Sequence, residues 1–157
     1  AQREIGEWLH ENLPANYTVA EIATGIVPYY SRLPTIDMLG VNDEHIAHLD
    51  IPLGSAPSGH EKSDAGYVLS RKPEVIWLGL DLEGTPKYTT AAYPAPACVL
   101  GERAVYAATV CNPYLWVFYR PVAVRLQHGW FNILVRGDVH LELPPGSIDR
   151  GAPPAGQ

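Results

Sequence analysis

Val75-Ile76-Trp77-Leu78-Gly79-Leu80 is a continuous apolar run, set off upstream by Ser70-Arg71-Lys72-Pro73 and downstream by Asp81. A run this short and apolar reads as a strand buried on both faces of a sheet, the pattern of parallel strands covered by helices. The basic pair followed by Pro73 marks the end of a preceding helix that carries Tyr67-Val68-Leu69 and starts at a Ser63 or Asp64 cap. Working back, Thr35-Ile36-Asp37-Met38-Leu39, closed by Gly40, and Thr18-Val19-Ala20-Glu21-Ile22 are further strand patterns. Between them Ile26 to Ser31 reads as a brief helix or turn, with Pro28 tolerated in its first turn. Asn42 or Asp43 can cap a short helix running to about His48. Ile5, Trp8, Leu9 and Leu13 recur at helical spacing and predict an amphipathic helix over 2–13, stopped by Pro14. Helix, strand, helix, strand, helix, strand in that order predicts parallel strands joined by right-handed crossovers.

Beyond Leu80 the pattern changes. Residues 81–97 are turn-rich, and Val99-Leu100, Ala104–Val110, Leu115–Tyr119, Val122–Leu126 and Phe131–Val135 read as strands, with Gln127-His128-Gly129 as a hairpin tip. The expected fold class is α/β: a three-layer half with short parallel strands and crossover helices over about 2–80, then a β-rich, largely antiparallel half over about 98–136. One domain is expected over 1–142. The Pro/Gly-rich residues 143–157 have no period and few large apolar side chains, and are expected to be a disordered tail.

A length of 157 residues suits one sizeable domain, and 46% apolar residues can form a core without a framework of disulfides or metals. Eleven Lys+Arg against seventeen Asp+Glu give a net charge of −6, and the basic residues are scattered, which argues against nucleic acid as a partner. No stretch of about 20 apolar residues is present, because the most apolar region, 104–126, is broken by Asn112, Pro113, Arg120, Pro121 and Arg125. The chain opens directly into a helical pattern with no signal-peptide signature, which predicts either a cytosolic protein or a piece of a longer one.

Polar chemistry concentrates after the second and third strands, where the loops of an open α/β sheet line its ligand crevice. Asp37, Asn42, Asp43, His45, His48, then Gly59-His60-Glu61-Lys62 and Asp64 lie there. His45 and His48 share a helix face, and with Asp43 and His60 they form a candidate set of metal ligands, although HExxH spacing is absent. The plain alternative is a loop braced by hydrogen bonds and caps, since no positioned nucleophile accompanies these groups. Ala23-Thr24-Gly25 follows a strand as a phosphate loop would, but it lacks both phosphate-loop motifs and no nucleotide or other cofactor is expected. Nine Tyr and four Trp against two Phe favour aromatics with a polar edge, and Tyr29 and Tyr30 are candidates for stacking on a sugar ring. Cys98 and Cys111 are spaced so that either a disulfide or two buried thiols would fit.

Ile26-Val-Pro-Tyr-Tyr-Ser31, Thr35-Ile-Asp-Met-Leu-Gly-Val-Asn-Asp43, His45-Ile-Ala-His48, Gly59-His-Glu-Lys62 and Tyr67-Val-Leu-Ser-Arg-Lys-Pro-Glu-Val-Ile76 together resemble a bacterial module. It is the extracytoplasmic C-terminal domain of GT-C type, arabinofuranosyltransferase-like membrane glycosyltransferases that use polyprenyl-phosphate sugars. The likeness covers about residues 5–80. Ala23-Thr24-Gly25 stands where many relatives have Asp-Ala-Gly, and Glu74 stands where Asp is usual. The resemblance implies a non-catalytic domain on the outer face of the bacterial cell membrane, because the catalytic base and lipid-phosphate site of such enzymes lie in their membrane part. It further implies a saccharide acceptor and the protein's own transmembrane part as partners, and it favours a Cys98–Cys111 bridge on the oxidising side. The ligand would contact Tyr29, Tyr30, Asp37, Asn42, Asp43, His45, His60 and Lys62. Two alternatives are a free-standing hydrolase or metal-dependent enzyme using Asp43, His45, His48 and His60, and a purely structural docking domain.

Overall fold

The computed structural model describes residues 1–22, 24–52, 54, 58–93 and 104–151. The first half follows the expected order: α1 (Gln2–Asn12), β1 (Val19–Glu21), α2 (Ile26–Ser31), β2 (Thr35–Asp37), α3 (Glu44–Ala47), α4 (Ala65–Ser70) and β3 (Val75–Trp77). The second half comprises α5 (Ala104–Val110), α6 (Pro113–Phe118), β4 (Tyr119–Leu126), β5 (Gly129–Arg136) and β6 (Ile148–Asp149). The six strands form one mixed sheet in the order β2-β1-β3-β5-β4-β6. β2, β1 and β3 are parallel, and the pairs β3–β5, β5–β4 and β4–β6 are antiparallel.

Strand alternation sorts the apolar side chains onto the two faces. Val19, Val75 and Trp77, with Val122, Val124, Phe131, Ile133 and Val135, pack against Ile5, Trp8 and Leu9 of α1 and Val27 of α2. On the opposite face Ala20, Ile36, Ile76 and Leu134 pack with Ile46 of α3, Val68 of α4, Val110 of α5 and Leu115 of α6. The architecture is therefore a three-layer α/β fold with the short parallel strands at one side of the sheet. The first turn of α1 is tied to the carboxyl edge of those strands, where Gln2 Nε2 donates to the Leu80 carbonyl at 2.7 Å. Glu4 accepts from the Gln127 amide and His128 Nδ1 of the β4–β5 tip at 2.6 and 2.8 Å.

Three expectations need correction or lie out of reach. Residues 104–110 and 113–118 are helical, not strands. Asn112 accepts from the Tyr114 amide as the N-cap of α6, and Pro113 occupies its first turn, where a missing N–H costs nothing. The expected disorder from residue 143 does not hold over 143–151. There β6 pairs with β4, and Asp149 accepts from the nearly buried guanidinium of Arg120 at 2.9 and 3.2 Å from Nε and 2.9 Å from Nη2. Residues 152–157, Val99-Leu100 and Cys98, and with Cys98 its expected pairing to Cys111, lie outside the described residues.

The contact of α1 with α2 depends on Gly6. A Cβ at that position would meet Tyr30 Cβ at 2.7 Å and the Val27 carbonyl oxygen at 2.9 Å, both too close. Gly6→Ala gains about 1 kcal/mol in helix propensity, but overpacking costs about 1–3 kcal/mol. The expected result in urea unfolding is a net loss of about 1 kcal/mol, opposite in sign to the propensity effect.

Candidate functional site

The chain leaving β2 folds into a tight, polar turn because Asp37 organises it. Asp37 is 2% exposed, and its carboxylate accepts from the Leu39 amide at 3.0 Å, the Asn42 amide at 2.7 Å and Thr24 Oγ1 at 3.3 Å. The turn delivers Asp43 to the start of α3, where its Oδ1 accepts from the Ile46 amide at 3.0 Å. Asp64 does the same for α4, accepting from the Tyr67 amide at 2.8 Å. Both are N-caps of the kind the sequence signals.

The two capped helices then brace one another reciprocally. Tyr67 of α4 donates its hydroxyl to Asp43 Oδ2 at 3.1 Å, and His45 Nε2 of α3 lies 3.0 Å from Asp64 Oδ2. A carboxylate only accepts, so Nε2 is the nitrogen carrying hydrogen in that contact. The rings of His45 and Tyr67 stack, with centroids 4.0 Å apart and planes 19° apart. The bond from His45 is the largest influence holding Asp64 below the ordinary carboxylate range, with the Tyr67 amide second. The Tyr67 hydroxyl is pushed up by desolvation first and then by its bond to Asp43.

Beside this brace lies an open groove of about 750 Å³, lined by Asn42, Asp43, Glu44, His45, His48, Leu49 and Tyr67. It offers an aromatic stack, carboxylates, an amide and an apolar side chain, which are the groups that hold a polyhydroxylated ring.

Of the residues expected to bind ligand, Asn42, Asp43 and His45 come together here. Asp37 stands behind them as a buried organiser of the turn. Lys62 donates from Nζ to the Ala47 carbonyl and His60 is half-buried in the preceding loop; neither lines the groove. Tyr29 and Tyr30 belong to α2 in the other helical layer. They meet edge to face at 5.1 Å, and the Arg3 guanidinium lies 5.2 Å from the Tyr30 ring centroid. They are not part of this groove.

Of the four candidate metal ligands, Asp43, His45 and His48 line the groove and His60 does not. Asp43 is used by Ile46 and Tyr67, His45 faces Asp64, and His48 Nδ1 donates to the Glu44 carbonyl at 2.7 Å. Among the described residues no group of three or more His, Cys, Asp or Glu is placed to hold a metal ion.

Reading the sequence alone did not assign Tyr67, Asp64 or Glu21 to a site. Tyr67 and Asp64 looked like an apolar helix position and a cap, and only the packing of α3 on α4 joins them to the groove. Glu21 did leave a signal, since it is an acidic residue in phase with Val19 in an otherwise apolar strand. It is fully buried, pairs in register with Asp37 and Trp77, and neither carboxylate oxygen has a hydrogen-bond partner among the described residues. Burial, and after it the charge of Asp37, pushes its pKa up to about 8.

Comparison with curated proteins and with solved structures finds no match. A model described as a domain of unknown function, DUF8728, matches residues 1–124, from α1 into β4 and including the whole groove. Because that match spans well over half of the 157 residues, the chain belongs to the DUF8728 family.

Proposed function

We propose that this chain is a non-catalytic domain that binds or positions a saccharide acceptor. In this reading it is the extracytoplasmic part of a membrane glycosyltransferase that uses polyprenyl-phosphate sugars, and the protein's own transmembrane part is its partner. The observation that carries the binding reading is the groove between α3 and α4, where the His45–Tyr67 stack adjoins Asn42, Asp43 and His48. Carboxylates and amides accept from and donate to sugar hydroxyls, while aromatic faces cover the apolar face of the ring. The sequence likeness over 5–80 supplies the glycosyltransferase context. No helix among the described residues is long and apolar enough to cross a membrane. In this reading, catalysis resides in a membrane part outside these 157 residues.

The test is a titration of the chain with cell-wall-type oligosaccharides, followed by NMR of the His45 and Tyr67 ring signals. Saturable shifts at both rings are expected. His45→Ala is expected to weaken binding by about fivefold or more while changing stability by less than about 1 kcal/mol, because the partly exposed His45–Asp64 pair contributes little to folding. Absence of any shift at millimolar oligosaccharide overturns the binding claim.

The reciprocal capping of α3 and α4 favours a second reading, in which the cluster is only a brace and the domain docks against its membrane part. His45→Ala then lowers the melting temperature by several degrees and no oligosaccharide shifts the ring signals.

A further inference from the structure

We propose that the groove between α3 and α4 selects saccharides bearing a protonated amine, an inference that rests on the saccharide-binding reading and adds the charge of the ligand to it. Asp43 and Glu44 both line the groove, and among the described residues neither takes part in an ion pair. Among the described residues the Asp43 carboxylate accepts only from neutral donors, the Ile46 amide and the Tyr67 hydroxyl, and none of them supplies it a counter-ion. Each of its oxygens keeps a second lone pair for a further donor.

The surrounding charges point the same way. Asp64 lies directly behind His45 and is held ionised. Among the described residues no Lys or Arg lines the groove. Lys62, in the loop before α4, is occupied by the Ala47 carbonyl, and Arg71 acts on the Tyr67 hydroxyl only through space. A concave surface whose described lining holds two carboxylates and, besides the histidines His45 and His48, no Lys or Arg concentrates cations and repels anions at neutral pH. A hexose presents hydroxyls to any of these groups, but an amino sugar places one ammonium where a carboxylate can accept a charge-assisted bond while the ring stays on the aromatic stack. Acidic and phosphorylated sugars are disfavoured by the same field.

The experiment compares three trisaccharides by NMR titration of the whole chain at pH 7 and low salt: β-1,4-linked glucosamine, its N-acetylated form, and a galacturonic acid oligomer. The glucosamine trimer is expected to bind about 5- to 10-fold more tightly than the N-acetylated trimer, the gain of one partly exposed charge pair, and the uronate most weakly. That advantage shrinks between about 20 mM and about 300 mM NaCl, as screening requires. Asp43→Asn keeps a good helix cap, and it and Glu44→Gln are each expected to reduce the ratio of the two affinities. Equal affinity for the amine and the N-acetyl trimer, or an advantage that survives both substitutions, overturns the selectivity and leaves the saccharide reading standing. Failure of all three sugars to bind overturns the saccharide reading and this inference with it.

Discussion

Glu21→Gln is expected to stabilise the protein at neutral pH, although it removes the one carboxylate of β1. Glu21 has no accessible surface and no hydrogen-bond partner among the described residues, and Asp37 lies beside it in register. Its pKa near 8 in the fold lies far above the ordinary value of 4.5. The folded state therefore holds a proton that the unfolded chain releases. Below about pH 4.5 the carboxyl is neutral in both states and folding bears no penalty. As pH rises from there the unfolded state ionises first and stability falls, levelling off only above about pH 8. At pH 7 the linkage amounts to about 3 kcal/mol. Part of it stays with the glutamine amide, which is polar and must find an acceptor in the same place, so the expected gain is about 1–3 kcal/mol. Urea unfolding of both proteins at pH 5, 7 and 8.5 checks this. The two curves should converge at pH 5 and separate as pH rises. A variant less stable than the parent at pH 7, or a parent whose stability does not fall between pH 5 and 8, would show that Glu21 is solvated or paired in solution.

The opposite sign is expected at the buried Arg120–Asp149 pair. Arg120 is 7% exposed and bonds to Asp149 on one side and to the carbonyls of Arg136 and Val139 at 3.0 and 2.9 Å on the other. It joins three segments: β4, the turn after β5, and β6. Desolvation works against the charge of Asp149, but the Arg120 hydrogen bonds, the Gly151 amide and nearby positive charge outweigh it and hold the carboxyl below its usual range. Asp149→Ala leaves a guanidinium inside with no counter-ion, and Arg120→Ala leaves a carboxylate and two carbonyls without their donor. Each is expected to cost about 3–5 kcal/mol, the range for breaking a buried pair. The double substitution Arg120→Met, Asp149→Leu is expected to cost less than the sum of the single losses, because neither charge is then stranded. Unfolding free energies of the parent, the two alanine variants and the double alanine variant measure this coupling, and the Met/Leu pair tests whether an apolar replacement recovers the loss. Additive single effects would mean that the two side chains act independently. Residues 144–151 should also become susceptible to proteolysis in Asp149→Ala, since the ion pair and the short β4–β6 pairing hold them to the sheet.

What could be read in the chain follows from the range of the forces involved. The apolar run at 75–80 announces a doubly buried strand because parallel strands under helices have no solvent face on which to place polar residues. The caps at Asp43 and Asp64 are legible because a cap acts over three residues. The same locality explains the failure at 104–118. Ala-Val-Tyr-Ala-Ala-Thr-Val and Leu-Trp-Val-Phe are rich in β-branched and aromatic residues and score as strands, yet the sheet already has its neighbours on that side. Val105, Val110 and Leu115 cover the sheet face as helices instead. Asn112-Pro113 was the local clue, a cap followed by the residue best suited to a first helical turn. Residues 143–151 are not legible for a related reason: their composition is that of a loop, and what orders them is one aspartate reaching a guanidinium 29 residues away in the chain.

The sequence by itself determined the three-layer α/β class of the first half, the two helix caps, the β4–β5 hairpin and the cluster of Asn42, Asp43 and His45 near the end of the second strand. Those features depend on periodicity, turn chemistry and bonds between near neighbours. Only the tertiary structure decided that Asp43 and Asp64 each accept from an aromatic side chain of the other's helix, that Tyr29 and Tyr30 sit in the opposite layer, and that Glu21 lies beside Asp37 with no hydrogen-bond partner among the described residues. Each of those contacts depends on which strand lies beside which and on the register between them. That choice is made by burying two apolar faces at once, and no single segment carries it.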